Sequence, residues 1–185
     1  MIQNYKTSLM SDPKLYPIRF IEPVLLKEGT LVQLRPIHPL DGNQAEEFRG
    51  KLSAESVYDR FLGYIPKTSK KLVDRLTNID YSREMAIVAE VQNKNEKELI
   101  AVGRIASDED SAVDFAIIIA DDWQGKGLGT ILTAYLIDVA KEMDFEKIYA
   151  TVFTRNKEML EILRRKKFTF QKEDEMTTYA ELLLK

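Results

Sequence analysis

The chain has 185 residues, with 27 basic and 30 acidic side chains and a formal net charge of −3, and its length is typical of a single domain. It contains no cysteine and one histidine, His38, which excludes disulfides, cysteine-ligated metals, a cysteine nucleophile and a multi-histidine metal site. The acidic excess argues against general binding to nucleic acid or to anionic membranes, and we expect neither as a partner.

The N-terminal part of the chain differs in character from the rest. Residues 1–10 lack the apolar stretch of a signal peptide, and no apolar run is long enough to span a bilayer, so we expect a cytoplasmic protein. Residues 1–29 are interrupted by prolines and have no clean period. We predict that they form an N-terminal extension with one short strand within Arg19–Leu26, and that residues 30–185 form the compact domain.

Beyond residue 30, strand and helix patterns follow one another along the chain. A strand at about 31–36 precedes helices at about 41–52, 53–61 and 69–76, the first two with Asp41 and Ser53 as predicted caps. The remaining predicted elements are a hairpin (85–91 with 99–106), an apolar central strand (112–120), an amphipathic helix from Leu128, a strand (147–153), a helix (156–166) and two closing strands (168–171 and 176–184). This order predicts an α+β fold with three layers, α/β/α, around one mixed, mostly antiparallel, twisted sheet.

Three glycines, Gly125, Gly127 and Gly129, lie between the apolar strand and the amphipathic helix. Glycine permits a positive φ and a close approach of the backbone to a ligand, and the N–H groups at a helix start favour an anion. Gln124 and Lys126 can add side-chain donors, so the loop is predicted to bind a pyrophosphate. Its spacing matches neither a Walker loop nor a dinucleotide fingerprint, and the alternative is a glycine-rich turn without a ligand.

The segment QGKGLG, residues 124–129, resembles the acetyl-CoA loop of the GNAT-type N-acetyltransferase superfamily. The resemblance covers about residues 16–171. Within the superfamily, the chain resembles in particular the GNAT module of bacterial multidomain protein lysine acetyltransferases. Five blocks have the spacing of that module: LVQLRPIHPLD (31–41), LSAESVYDRFLG (52–63), LTNIDYSREMAIVAE (76–90), VDFAIIIADDWQGKGLG (113–129) and TRNKEML (154–160). The resemblance implies a GNAT fold and an enzyme that uses acetyl-CoA as cosubstrate, without a metal.

The resemblance also implies a set of site residues. Acetyl-CoA would be bound by the end of the apolar strand, the loop and the start of the last helix, namely Ile118, Ile119, Ala120, Gln124, Gly125, Lys126, Gly127, Leu128, Gly129, Thr130 and Asn156. Ile118 and Ala120 would hydrogen-bond the pantetheine arm, and a backbone N–H of residues 117–120 would stabilise the oxyanion. Asn156 matches an asparagine that contacts CoA in the family, although a plain helix N-cap explains it equally well.

Asp114 is the candidate general base, because it stands where the resembling subgroup has a glutamate. We expect burial beside Phe115 and Ile117 to raise its pKa, and the alternative is a strand-end carboxylate paired with a basic side chain. Many GNAT enzymes use a tyrosine of the last helix as general acid. The matching position here is Leu163, and the resembling subgroup does not rely on that tyrosine.

Three further features have two interpretations each. His38 could be a second base or a surface histidine. Tyr58, Arg60 and Phe61 could contact the substrate or only pack the first helices together. The six acids of residues 107–122 could attract a cationic acceptor or simply form a solvated turn.

We therefore expect an N-acetyltransferase that moves an acetyl group from acetyl-CoA to a primary amine, in the first place a protein lysine, with Asp114 as general base. The alternative acceptor is a small amine, a polyamine or an amino acid. Two other classes are a non-catalytic acyl-CoA-binding regulatory module and a nucleotide-binding module that uses the same glycines. The expected partner is accordingly a protein substrate or a small amine, and the expected assembly is a monomer or a homodimer.

Overall fold

The computed structural model describes residues 16–63, 69–93, 96–107 and 111–185. Within these residues one sheet contains eight strands: β1 (Glu22–Leu25), β2 (Leu31–Pro36), β3 (Glu84–Asn93), β4 (Glu96–Ser107), β5 (Ala112–Ile119), β6 (Lys147–Phe153), β7 (Thr169–Lys172) and β8 (Thr177–Leu183). The strand order is β1-β2-β3-β4-β5-β6-β8-β7. All neighbours are antiparallel except β5 and β6, which are parallel.

Helices cover the sheet on both faces. The five α-helices of the described residues are α1 (Gly42–Gly50), α2 (Ala54–Phe61), α3 (Lys70–Thr77), α4 (Leu128–Glu142) and α5 (Lys157–Arg165). Since side chains alternate along a strand, β3 sends Met85 and Ile87 into a core with Leu132 of α4, and Ala86 and Val88 into a second core beside α1. The α+β fold with three layers around a mixed sheet is therefore confirmed.

The predicted elements form with boundaries that differ by a few residues. The short strand expected within Arg19–Leu26 is β1, at the edge of the sheet, and Phe20 and Leu26 are buried. Ser53 caps α2 as predicted, because its Oγ accepts a hydrogen bond from the backbone N–H of Ser56. None of the helices in the described residues has the length and apolar character that crossing a membrane requires.

Asp41 does not cap α1 with its side chain, so that prediction is wrong. Its carboxylate instead accepts two hydrogen bonds from the guanidinium of Arg35, at 2.7 and 2.9 Å. Arg35 also donates to Glu90, at 2.9 and 3.2 Å, and Lys97 contacts the other oxygen of Glu90 at 2.6 Å. A buried cation needs such partners, and this demand outweighs the N-cap preference of aspartate. The network ties β2 and β3 to the start of α1.

Candidate active site

The strands β5 and β6 separate in the middle of the sheet. Their parallel register covers only the pairs Ala112–Lys147, Val113–Ile148 and Asp114–Tyr149. Beyond these pairs a cleft of about 1290 Å³ opens between residues 115–119 of β5 and 150–152 of β6. Parallel strands that diverge leave backbone groups without ladder partners on their inner edges, so the cleft offers hydrogen-bonding groups to a ligand.

The glycine loop forms one wall of this cleft. Gly125 and Gly127 have φ values of +71° and +88°, which side chains with a Cβ rarely adopt. No heavy atom lies within 4 Å of a Cβ built at either residue, so both positions leave open space. A Cβ at Gly129 would lie 3.2 Å from Ile162 and 3.4 Å from Ile119. The third glycine therefore serves the close packing of α4 rather than a special backbone angle.

The start of α4 is available to an anion. Its N-cap, Gly127, has no side chain, and no side-chain hydrogen bond caps the helix. Gly127, Gly129 and Thr130 line the cleft. The N–H groups of the first helical turn have no partner within the helix, and the helix dipole adds partial positive charge. These features fit a pyrophosphate at the loop.

The backbone of β5 presents alternate residues to the cleft. The N–H of Ala120 donates to the carbonyl of Ile100 at 2.9 Å, so the prediction that Ala120 hydrogen-bonds a ligand is wrong. Partners in an antiparallel ladder alternate, and the register between β4 and β5 is unbroken; Ile118 therefore also faces β4. The residues that turn their N–H and C=O groups away from β4, towards the gap, are Ile117 and Ile119. They replace Ile118 and Ala120 as the candidates for binding an extended ligand arm.

Gln124 has a structural task in the loop. Its side-chain amide donates to the carbonyl of Ile119 at 3.1 Å, to Ser56 Oγ at 3.0 Å and to Asp121 Oδ1 at 3.0 Å. Those N–H groups are already engaged, so they do not supply the ligand donor that we expected from Gln124. The contact with Ile119 also confirms that this carbonyl points away from β4.

Helix α2 is held to the loop side of the cleft by Asp121. The Asp121 carboxylate accepts hydrogen bonds from the backbone N–H of Ser53 at 2.8 Å and from Ser56 Oγ at 2.6 Å. The hydrogen bond from Ser56 is the largest of the effects that lower the pKa of Asp121. An ionised Asp121 therefore fastens the N-terminus of α2 beside the loop.

The same helix is held to the opposite side of the cleft by Arg155. Its guanidinium forms ion pairs with Glu55, at 3.0 Å, and with Asp59. Asn156 donates to Asp59 at 3.4 Å, and its Oδ1 accepts from the N–H of Met159 at 3.0 Å, which confirms the N-cap interpretation. We call the contacts of Asp121 and Arg155 with α2 the clasp, because they join both sides of the cleft through one helix.

Asp114 lies at the point where the cleft begins. Its side chain is exposed, whereas the neighbouring Phe115 is buried in the core, so the expected burial of Asp114 is wrong. It is the last residue of β5 in register with β6, opposite Tyr149, and it precedes the lining segment 115–119. Burial and then the charge of Arg104 lower the pKa of Arg60 of α2, and the negative charge of Asp114 raises it by a smaller amount.

Four other residues in or near the loop and in α5 have clear positions. Trp123 packs against both cores, and the ammonium of Lys126 lies 4.6 Å from the centre of its ring. The side chain of Leu128 is buried in the core, so only its backbone borders the loop. Leu163 is also fully buried, at the position where many GNAT enzymes have a tyrosine.

His38 lies outside the lining of the cleft. Its Nδ1 accepts a hydrogen bond from the N–H of Leu40 at 3.1 Å, and its ring stands edge-on to Tyr16, with 5.3 Å between the ring centres. Burial lowers its pKa. These contacts explain His38 as a residue of the link between β2 and α1, and nothing in its position favours a role as second base.

Several lining residues were not singled out from the sequence as ligand contacts. Lys27 and Glu28, in the turn between β1 and β2, border the cleft. No local motif marks the turn, because its place beside the loop depends on the pairing of β1 with β2. Arg155 falls within the block TRNKEML, but its contact with α2 cannot be read from that block.

Comparisons with known proteins agree with this geometry. The sequence profile described as "Acetyltransferase (GNAT) family" matches residues 54–168. A Pseudomonas aeruginosa protein that is named an acetyltransferase is 34% identical over 154 residues, which are 83% of this chain and 83% of that protein.

Solved structures show the same fold. The GNAT domain of S. lividans PAT has a TM-score of 0.82 at 24% identity, with 91% of this chain and 99% of that one covered. A spermidine N-acetyltransferase from Vibrio cholerae, solved in complex with CoA and spermine, has a TM-score of 0.67 at 21% identity, with 83% and 95% covered.

Proposed function

The chain belongs to the GNAT family of acetyltransferases, and from this we propose that it transfers the acetyl group of acetyl-CoA to the side-chain amine of a protein lysine. The observation that carries the proposal is the cleft itself. It begins at Asp114, runs along the free edge of β5 and ends at the uncapped start of α4. Along the cleft, a carboxylate is followed by a free strand edge and then by an anion site. This spatial order suits a ligand with a thioester at one end, a long arm in the middle and a pyrophosphate at the other end.

The cleft suits acetyl-CoA in two respects. The loop residues Gly125 and Gly127 leave room for a pyrophosphate beside the N–H groups of α4. The inward-facing N–H and C=O of Ile117 and the N–H of Ile119 can pair with an extended amide arm as an added strand would. The bound cosubstrate supplies an activated acyl thioester. The remaining tasks, which are orientation, charge stabilisation and proton removal, belong to residues of this chain.

Asp114 is proposed as the group that removes the proton from the amine. A lysine ammonium with a pKa of about 10.4 is neutral in about one molecule in 2,500 at pH 7, so the reaction needs a proton acceptor. The ammonium first passes a proton to Asp114 through one water, and the neutral amine nitrogen then attacks the thioester carbonyl carbon. The C–S bond breaks, CoA leaves as the thiolate, and the second proton from the nitrogen goes to that thiolate, which is released as the thiol. A backbone N–H of β5, from Ile117 or Ile119, stabilises the negative charge on the carbonyl oxygen.

The experiment that tests this proposal measures thiol release from acetyl-CoA with three kinds of acceptor. These are lysine-containing peptides, free amino acids and polyamines. We expect turnover with peptides, and mass spectrometry should locate the acetyl group on the lysine side chain. Tight binding of acetyl-CoA without acetylation of any acceptor would instead indicate the non-catalytic module. A preference for ATP or NAD over CoA in a thermal-shift assay would indicate a nucleotide-binding module.

A further inference from the structure

Resting on the proposed function, we propose that Arg60 selects the acceptor by binding one of its oxygen atoms. The group bound would be a carbonyl or carboxylate oxygen carried on the same molecule as the reacting amine. The acceptor would then be a lysine, in a peptide or as the free amino acid, and a polyamine would be excluded. The proposed chemistry, which uses Asp114 and the backbone of β5, does not include this arginine.

Arg60 stands at the boundary between two spaces. It lines the cleft together with Ser56 and Asp59 of the same helix. It also lines a smaller cavity of about 90 Å³ behind α2, whose walls are mostly apolar and include Phe48 and Leu52. The side chain is therefore partly buried. Any of its nitrogen atoms that is fully buried has a hydrogen-bond partner. Arg60 therefore borders both the cleft and a mostly apolar cavity.

Among the residues that the structure describes, no carboxylate lies within ion-pair distance of Arg60, and Asp114 acts on it through its charge. Its neighbours include the ring of Phe61, whose centre lies 4.9 Å from the guanidinium carbon, and the charges of Arg104 and Asp114. Arg104 is itself satisfied by Glu84 and by the carbonyl of Leu76. Burial, and then the like charge of Arg104, lower the pKa of Arg60 to about 10. A cation in this position gains from an oxygen ligand more than a solvated arginine does.

Three carboxylates that line the cleft, two on α2 and one in the turn after β5, are already engaged by the clasp. Glu55 and Asp59 pair with Arg155, and Asp121 accepts hydrogen bonds from Ser53 and Ser56. They are therefore poor anchors for the further ammonium groups of a polyamine. Such an acceptor would also bring positive charge towards Arg60, where the surroundings are weakly polarisable and repulsion is strong. A lysine brings a single amine and an oxygen.

The test compares kcat/KM of the wild type and Arg60→Gln for four acceptors. These are a lysine peptide blocked at both ends, free lysine, spermidine, and cadaverine, which is the lysine side-chain amine without a carbonyl group. We expect the wild type to prefer the peptide or free lysine to cadaverine and spermidine by at least about tenfold. Arg60→Gln should lower kcat/KM for the preferred acceptor by about 10- to 100-fold, mainly through KM. Its kcat/KM for cadaverine should stay within about threefold.

Comparison of the blocked peptide with free lysine identifies the source of the oxygen atom that Arg60 binds. A preference for the blocked peptide assigns it to a main-chain carbonyl, and a preference for free lysine assigns it to the carboxylate. Arg49→Gln is the matched control, because Arg49 lines the inner cavity but not the cleft. The control should leave the acceptor preference unchanged. If Arg60→Gln does not fold, Arg60→Lys replaces it in the test. Lysine keeps the charge but not the two-pronged geometry of the guanidinium, so this variant should retain part of the preference for lysine acceptors.

Three results would overturn the proposal. The first is a wild-type preference for spermidine. The second is a fall in kcat of Arg60→Gln that is equal for all four acceptors. Such a result would mean that Arg60 acts on the environment of Asp114 and does not bind the acceptor. The third is an unchanged acceptor preference in both Arg60 variants. Absence of acetylation with every acceptor, in a wild type that binds acetyl-CoA, is a different outcome, because it refutes the proposed function itself.

Discussion

Asp114 and Tyr149 are the last residues in register between β5 and β6, and the two strands separate immediately beyond them. The pair therefore marks the place where a continuous sheet becomes a cleft. Residues with a shared register lie on the same face of a sheet, so both side chains are on the face that carries α2. The proposed base is fixed to a strand, and its backbone position is set by hydrogen bonds on both sides. Such a support holds a proton acceptor more precisely than a loop would.

The glycine loop can be tested with a matched pair of substitutions. Gly127→Ala and Gly29→Ala both place a Cβ at a φ near +90°, with no atom within 4 Å. Each should lower the free energy of unfolding by about 1–2 kcal/mol. Only Gly127→Ala should weaken the binding of CoA, by tenfold or more, because its Cβ projects to where we place the pyrophosphate. Isothermal titration calorimetry measures the affinity, and equal CoA binding by the two folded variants would contradict the assignment.

The buried network of Arg35 supports a second prediction. The side chains of Arg35 and Asp41 are 4% and 6% exposed, so Asp41→Ala leaves a buried guanidinium with part of its partners missing. Removing one partner of a buried pair costs about 3–5 kcal/mol, which corresponds to a fall in Tm of about 6–20 °C for a chain of this length. Differential scanning calorimetry measures the change.

The control for that prediction is an exposed ion pair. Arg19 and Glu142 are 60% and 52% exposed, so Glu142→Ala should cost less than about 1 kcal/mol. Similar losses for Asp41→Ala and Glu142→Ala would mean that burial does not decide the contribution of the network.

The clasp should respond to acid. The pKa of Asp121 lies below its usual range, chiefly because Ser56 donates to it. A lowered pKa in the folded state stabilises the fold fully above the ordinary aspartate pKa of about 3.9, and this contribution is lost as the pH falls through the lowered value. Ser56→Ala should raise the pKa of Asp121 towards its ordinary value, so that α2 loosens at a less acidic pH.

Carboxyl NMR titration measures that change for individual residues. Ser82→Ala is the matched control, because Ser82 lowers the pKa of Asp80 in the same way, in the turn before β3. It should move the pKa of Asp80 and leave that of Asp121 in place. An Asp121 pKa that does not respond to Ser56→Ala would show that the hydrogen bond from Ser56 is not what fastens α2.

The sequence was sufficient for features whose causes are local. The glycine loop is recognisable because positive φ and close packing restrict the residue type at each position. The apolar run 112–120 predicts a central strand, since both faces must be covered. Caps such as Ser53 and Asn156 also act within one turn of their helix.

Features that depend on the pairing of distant segments could not be obtained in that way. Whether Ile117 or Ile118 turns its N–H to the cleft depends on the register of β5 with β4, and a shift of one residue reverses the answer. The local sequence predicts a ligand donor at Gln124, but its amide donates to Ser56, which lies 68 positions earlier in the chain. Helix-cap preference likewise predicts a cap at Asp41, whereas its contact with Arg35 depends on where the chain places the two side chains.

The central claim, that Asp114 takes the proton from a lysine amine, is tested most directly by single-turnover thiol release with Asp114→Asn. Asp122→Asn is the control, because Asp122 is also an exposed carboxylate but lies in the turn after β5, away from the point where β5 and β6 separate. We expect Asp114→Asn to lower the rate by about 10²–10⁴-fold at neutral pH, with unchanged acetyl-CoA affinity, and Asp122→Asn to leave it unchanged. A folded Asp114→Asn protein that acetylates the peptide at the wild-type rate would contradict the account.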